Sequence, residues 1–191
     1  FPTRRSSDLV PAELTQVENL YGVESDGTKA EKQNLLPLGF SITYRKNRPF
    51  PHTLHLVPKT VVLGIGCKRG TEAESIRALI RETLEQNQIF KESICLIASI
   101  DLKKDEEGIR ICAEELGVPF VTWSAEELEQ VRSEDGFTES AFVRSVAGVG
   151  NVCERSALKG AGTSRLLIRK TAHNGVTVAA AVKDYTVCME D

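Results

Sequence analysis

Side chains that announce a chemistry are scarce in this chain. Of 191 residues only 6% are aromatic, with one tryptophan, one methionine and three histidines. No HExxH, no CxxC, no serine-centred elbow and no carboxylate cluster at metal-ligand spacing appears, so nothing demands a protein-bound metal. The five cysteines (Cys67, Cys95, Cys112, Cys153 and Cys188) are odd in number and widely spaced, which argues against a disulfide framework or a structural zinc site. Cys95 and Cys112 fall inside apolar patterns and read as small core residues. No apolar run approaches the roughly 18 residues that a bilayer span requires, and no charged-then-apolar leader opens the sequence; a cytoplasmic protein without membrane contact is expected. A surplus of charge is missing too. The net charge of -3 and pI near 5.8 supply no global field for nucleic acid, so an anionic ligand would have to be held by local cations in a pocket.

What is present is enough for a core: 41% of the residues are hydrophobic, and the length suits one domain with an appendage or two small ones. Phe1 to Leu9 shows no periodicity and reads as a sequencing or cloning scar. Residues 10–57 carry one alternating strand, Phe40 to Tyr44, and a second candidate at Thr53 to Val57, separated by the breaker-rich Lys46-Asn-Arg-Pro-Phe-Pro51. That is too little for a separate core, and it reads as the tail of an upstream region and a linker.

From residue 58 to 191 the rhythm becomes regular. Thr60 to Ile65 is a continuous apolar run, as expected of a strand covered on both faces. Thr71 and Glu74 form a candidate capping box before Ile76, Leu79, Ile80 and Leu84 at helical spacing. A strand at Ile94 to Ala98, a helix from about Asp105 to Leu116 closed by Gly117, a strand at Pro119 to Trp123 and a helix opened by the Ser124/Glu127 box and reaching about Val131 follow. Two more helices are expected near Glu139 to Val146 and Val152 to Lys159. Arg165 to Arg169 and Gly175 to Val182 are strands joined by too few residues for a parallel crossover, hence an antiparallel hairpin. The predicted class is α/β: a three-layer sandwich with a mostly parallel sheet, helices on both faces and a C-terminal antiparallel hairpin, plus a short N-terminal appendage.

Two glycine-rich turns carry the functional signal. In an open parallel sheet, ligands bind where strands end and helices begin, because backbone N–H groups converge there. Gly64-Ile-Gly-Cys-Lys-Arg-Gly-Thr71 has that position, with Gly64, Gly66 and Gly70 baring backbone and Lys68 and Arg69 able to pair with carboxylates or phosphates. The bland reading is a tight turn with solvated cations, with Cys67 as a small corner residue. The spacing GxGxxxG departs from the dinucleotide fingerprint, Asp101 comes too late for its acidic residue, and no Walker Gly-Lys-Ser/Thr follows. Ser99-Ile-Asp-Leu-Lys-Lys104 ends the next strand, so that Asp101, Lys103 and Lys104 would face the same crevice, unless Asp101 merely caps the following helix. Gly148-Val-Gly-Asn-Val-Cys-Glu154 opens a helix: Glu154 is either a general base or an N-terminal helix acid, and Cys153 either a functional thiol or a small buried residue. His173 lies in the expected hairpin loop from Lys170 to Gly175 and reads as solvent-facing.

Leu63 to Thr71, Ala98 to Lys103, Gly148 to Glu154 and Val176-Thr-Val-Ala-Ala-Ala181 occur in the order seen in the C-terminal domain of the cobalt-precorrin-5A hydrolase (CbiG) family, a domain that stands alone as CobE. The chain resembles that domain over roughly residues 59–183, with Arg155 where the family pattern has a proline. The resemblance implies cobalamin biosynthesis: opening of the δ-lactone of cobalt-precorrin-5A and loss of acetaldehyde to give cobalt-precorrin-5B, or, as an alternative, non-catalytic binding and carriage of a tetrapyrrole intermediate. It implies no cofactor, since cobalt arrives with the substrate. It leaves room for a homodimer or contact with neighbouring pathway enzymes. On this reading Glu154 and Asp101 are the catalytic candidates. Gly64, Gly66, Cys67, Lys68, Arg69, Gly70, Thr71, Ser99, Lys103, Lys104, Gly148, Gly150, Asn151, Lys170 and Thr171 are the substrate-binding candidates.

Overall fold

The computed structural model describes residues 38–186, together with the backbone of two short strands, β1 (Gln16–Val17) and β2 (Asn19–Leu20), which pair antiparallel. The expected scar at residues 1–9 and Cys188 lie outside the described residues. In the appendage, β3 (Leu38–Ile42) and β4 (His52–Leu56) pair parallel, with Leu38 opposite His52. Both lie one or two residues earlier than alternation suggested, and β3 stops at Ile42 because residues 44 and 45 leave it for another partner. The buried Tyr44 accepts the Phe90 N–H at its carbonyl (2.9 Å), and Arg45 bridges Ile89. The expected breaker segment folds back, placing the Phe50 ring where a side chain at Gly39 would have to be.

The remaining elements build one layered unit. In chain order they are β5 (Val61–Cys67), α1 (Ala73–Gln86), β6 (Ile94–Ile100), α2 (Glu107–Leu116), β7 (Phe120–Trp123), α3 (Ala125–Glu129), α4 (Ala141–Ala147), α5 (Val152–Ala161), β8 (Leu166–His173) and β9 (Val176–Val182). Their five strands form a sheet of order β7-β6-β5-β9-β8. β5, β6 and β7 run parallel, while β9 is antiparallel to both β5 and β8. The sheet is thus half parallel and half hairpin, with helices on both faces.

Alternation along β5 decides which helix packs where. Val61, Leu63 and Ile65 join the core under α1 and α2, with Ile76, Leu79, Ile80, Leu84, Ile109 and Cys112. Val62 faces the other way, toward Ala157, Leu158 and Ala161 of α5. Gly64 and Gly66 share the face of Val62, and this explains them. A Cβ on Gly64 would collide with the Cys153 carbonyl oxygen and lie 2.7 Å from the Ala157 nitrogen. The backbone of α5 therefore rests directly on the backbone of β5. Gly160 brings the helix close from its own side, where a Cβ would come within 2.9 Å of the Leu96 and Val62 side chains.

Local signals fared unequally. The Ser124/Glu127 capping box is present, and Gly117 closes α2 in the left-handed region at φ 63°. The Thr71/Glu74 box does not form. Glu72 is the N-cap of α1 without a side-chain cap bond, and the Thr71 hydroxyl instead donates to the Lys68 carbonyl (2.7 Å), closing the preceding turn. The hairpin loop is shorter than expected: β8 runs on to His173, and Asn174-Gly175 alone turns the chain, at φ 49° and 80°. Lys170 and Thr171 are therefore strand residues. Cys95 is half-buried, not a core residue.

Replacing Gly64 with alanine should cost about 3 kcal/mol or more in urea unfolding, because rigid backbone on both sides leaves a methyl group nowhere to go. A variant of unchanged midpoint would show that α5 can lift from the strand.

Candidate functional site

The turns singled out in the sequence meet along one rim of the sheet, where β5 and β6 end and β9 begins. The Lys68 N–H donates to the Gly175 carbonyl (3.2 Å), and a Cβ at Gly175 would lie 3.0 Å from the Lys68 methylenes, so this side chain is draped over the hairpin. Thr177 donates its hydroxyl to the Gly66 carbonyl (3.1 Å). The Gly70 N–H donates to the Glu106 carboxylate, whose other oxygen accepts from Lys103 Nζ at 3.0 Å. Lys170 donates its backbone N–H to Glu154 (2.8 Å), linking the α5 entrance to β8.

Within this rim the candidates divide into scaffold and surface. Glu154 is fully buried, and its carboxylate accepts from the Thr138 N–H (3.0 Å), the Asn151 side-chain amide (2.6 Å) and the Lys170 N–H. Asn151 is the N-cap of α5, its side-chain oxygen accepting from the Glu154 N–H at 2.9 Å. Such a saturated, enclosed carboxylate ties three segments together and leaves little room to approach a substrate. Arg155 is buried as well: it donates to the Leu128, Glu129 and Val131 carbonyls and to Glu139 (2.9 Å), and lies 4.1 Å from the centre of the Phe137 ring. Ser99 is buried and donates to the Ile65 carbonyl (2.7 Å), so it braces β5 against β6 instead of facing the crevice. Gly64 faces α5, Gly66 lies under Thr177, and Gly150 is buried against Glu139. Gly148 ends α4 at φ 78°.

The outward set is smaller. Lys68, Arg69 and Gly70 are exposed, Gly70 at φ 71° with open space around it, and Thr71 is half-buried. Asp101 and Lys104 are exposed on the neighbouring turn. Asp101 opens a short 3-10 turn (Asp101–Lys103) and does not cap α2, whose N-cap is Glu106. Lys103 is spent on Glu106, with its side chain only 15% exposed. Lys170 and Thr171 are half-buried along β8, and His173 is exposed.

Sequence reasoning passed over Glu106, Gly108 and Thr177. In the sequence Glu106 is the middle of three acids, Asp105-Glu106-Glu107, at the start of a helix, indistinguishable from its neighbours or from a cap. Burial pushes its carboxyl up, but the Lys103 ammonium and the Gly70 N–H outweigh that and hold it below the usual carboxylate range. Thiol chemistry is disfavoured on this rim: burial pushes Cys153 up to about 11 and also raises Cys67, against the opposing pull of Lys103. Among the described residues, no group of His, Cys, Asp and Glu could hold a metal ion, and no helix is long and apolar enough to cross a membrane. A cavity of about 810 Å³ lies off the rim, between α1, α2 and β4, and another of about 640 Å³ runs along α2 from Lys104 to Phe120.

Comparison with known proteins gives this arrangement a context. The model of the family described as Cobalamin synthesis G C-terminus matches residues 61–181, from the first residue of β5 into β9. Cobalt-precorrin-5A hydrolase of Salmonella typhimurium is 38% identical over 134 residues, covering 70% of this chain and 37% of that protein. The Priestia megaterium protein of the same name is 34% identical over 128 residues, covering 67% and 33%. The chain thus spans about a third of the length of these curated relatives. The crystal structure of CobE, a protein from the cobalamin (vitamin B12) biosynthetic pathway, aligns with a TM-score of 0.61 at 31% identity, over 69% of this chain and 94% of CobE.

Two outcomes follow from the buried groups. Glu154→Gln turns an acceptor toward donors and should lower stability by about 2 kcal/mol in urea unfolding; an unchanged midpoint would mean the box is not closed. Cys153 has a folded value above its ordinary 9.0, so its contribution is complete below pH 9 and is lost as pH rises toward about 11. The urea midpoint should fall over that window, and less steeply in Cys153→Ala.

Proposed function

This chain belongs to the Cobalamin synthesis G C-terminus family, and on that footing we propose that it serves cobalamin biosynthesis in the hydrolysis of cobalt-precorrin-5A to cobalt-precorrin-5B and acetaldehyde. The observation that supports this reading is that three family motifs, and the start of the fourth at Val176 and Thr177, come together on one rim. That rim presents Lys68, Arg69 and Lys104 in a protein of net charge -3. A flat macrocycle fringed with acetate and propionate groups needs such a surface: cationic tips around its edge and exposed backbone beneath it. The cobalt is part of the substrate.

The chemistry requires water to add to the lactone carbonyl carbon, the ring C–O bond to break, and a two-carbon fragment to leave as acetaldehyde on carbon-carbon cleavage. On this proposal Asp101 takes the proton of that water, a role supported by its exposure on the same turn as Lys104. Glu154 supports the site from behind by fixing the Thr138, Asn151 and Lys170 segments. Lys68 and Arg69 orient the carboxylate fringe. A cytoplasmic setting accords with such a reaction.

Incubation of the purified chain with cobalt-precorrin-5A should give acetaldehyde and a bound chromophore. Asp101→Asn should lower acetaldehyde release about 100-fold with little change in Kd, and Lys68→Glu or Arg69→Glu should weaken binding about tenfold. Bound chromophore without acetaldehyde would overturn the hydrolytic role, and absence of both would overturn the tetrapyrrole site.

A further inference from the structure

We propose that Glu106 is the positioning residue that locks the Lys68–Thr71 turn to the Asp101–Lys104 turn, setting the cationic tips of one against the carboxylate of the other. This rests on the rim being the substrate site. Glu106 occupies the N-cap position of α2, where a side chain ordinarily accepts from the helix's own first N–H groups. Here it makes no such bond. Its two oxygens turn away from the helix: one accepts the Gly70 N–H from the turn after β5, with the Thr71 N–H facing the same carboxyl, and the other pairs with Lys103 at 3.0 Å on its own turn. The side chains of this pair are only 7% and 15% exposed, so neither is a solvated surface charge.

A second contact seats the same two turns. A Cβ at Gly108, in the first turn of α2, would collide with the Thr71 carbonyl oxygen and lie 3.0 Å from Ile76 and 3.2 Å from the Ala73 nitrogen. Backbone contact at Gly108 fixes the distance between the turns, and Glu106 fixes their register. Gly70 turns in the left-handed region at φ 71°, where a side chain would meet only open space, and its N–H is held by the Glu106 carboxylate. Lys68 and Arg69 hang between this anchor and the Gly175 carbonyl that accepts from the Lys68 N–H. Without Glu106 the turn would lose the side-chain tie at its Gly70 amide, and binding would carry the entropy of ordering it. Glu106 touches no reacting atom in this arrangement; it acts through the turn.

The test compares Glu106→Ala, Glu106→Gln and Glu106→Met with the parent chain by amide hydrogen exchange and by titration with cobalt-precorrin-5A. In Glu106→Ala the Gly70 and Thr71 amides should exchange about tenfold faster while those of β5 and α2 keep their protection, and Kd should rise about tenfold. Glu106→Gln keeps one acceptor oxygen and should restore much of the Gly70 protection and of the affinity, whereas Glu106→Met, which keeps the bulk without an acceptor, should not; rescue by both would mean a purely packing role and overturn the assignment. Unchanged exchange at Gly70 and Thr71 in Glu106→Ala, or faster exchange with unaltered Kd, would overturn the assignment. If the parent chain binds no cobalt-precorrin-5A, the functional reading fails by itself, and the exchange data still decide whether Glu106 locks the turns.

Discussion

A helix lying backbone to backbone on a central strand is the constraint from which the rest follows. The missing side chain at Gly64 lets α5 descend until the Cys153 carbonyl and the Ala157 amide touch β5. That contact sets the height of the α5 N-terminus above the rim, and with it the positions of Asn151 and Glu154. Because close-packed interiors do not deform continuously, a lifted helix would pull Glu154 from its three donors and loosen both the Thr138 segment and β8. A glycine remote from solvent thus governs the geometry of a surface.

Two buried acids divide the task of holding that surface. Glu154 joins the entrance of α5 to β8 and to the Thr138 segment, and Glu106 joins the two turns of the parallel half. Each accepts from backbone N–H groups of segments distant in sequence, supplying contacts that lie outside the ladders of the sheet. The exposed lysines and arginine are thereby left to face solvent or ligand. Using acids as internal ties and bases as external tips reconciles a net negative chain with a locally cationic rim.

The layered α/β class, the order of elements and the convergence of the turns were legible from alternation, capping residues and strand-to-helix glycines, since these are local or periodic signals. The Ser124/Glu127 box formed, with the second Glu127 oxygen still paired to Lys159 at 3.6 Å. The Thr71/Glu74 box lost to a turn in which the Thr71 hydroxyl already had the Lys68 carbonyl as partner. Roles that depend on what lies opposite were hidden. Gly64 and Ser99 pointed inward in place of toward a ligand, Lys103 had an acid three residues on, and Glu154 had donors from positions 138 and 170. Nothing in a one-dimensional pattern distinguishes a carboxylate that reacts from one that braces.

The pairing of β5 with β9 carries a consequence for biogenesis. The third strand of the sheet in spatial order is flanked on one side by a neighbour 27 residues further on and on the other by one that begins at Val176. While a ribosome is still extending the chain, β5, β6 and β7 can zip together, but the open edge of β5 stays unsatisfied until β9 has emerged. Nascent chains of this topology must therefore protect a hydrophobic, unpaired strand until Val182 has been added, and closure by the β8–β9 hairpin makes folding slow relative to a protein built from neighbouring contacts.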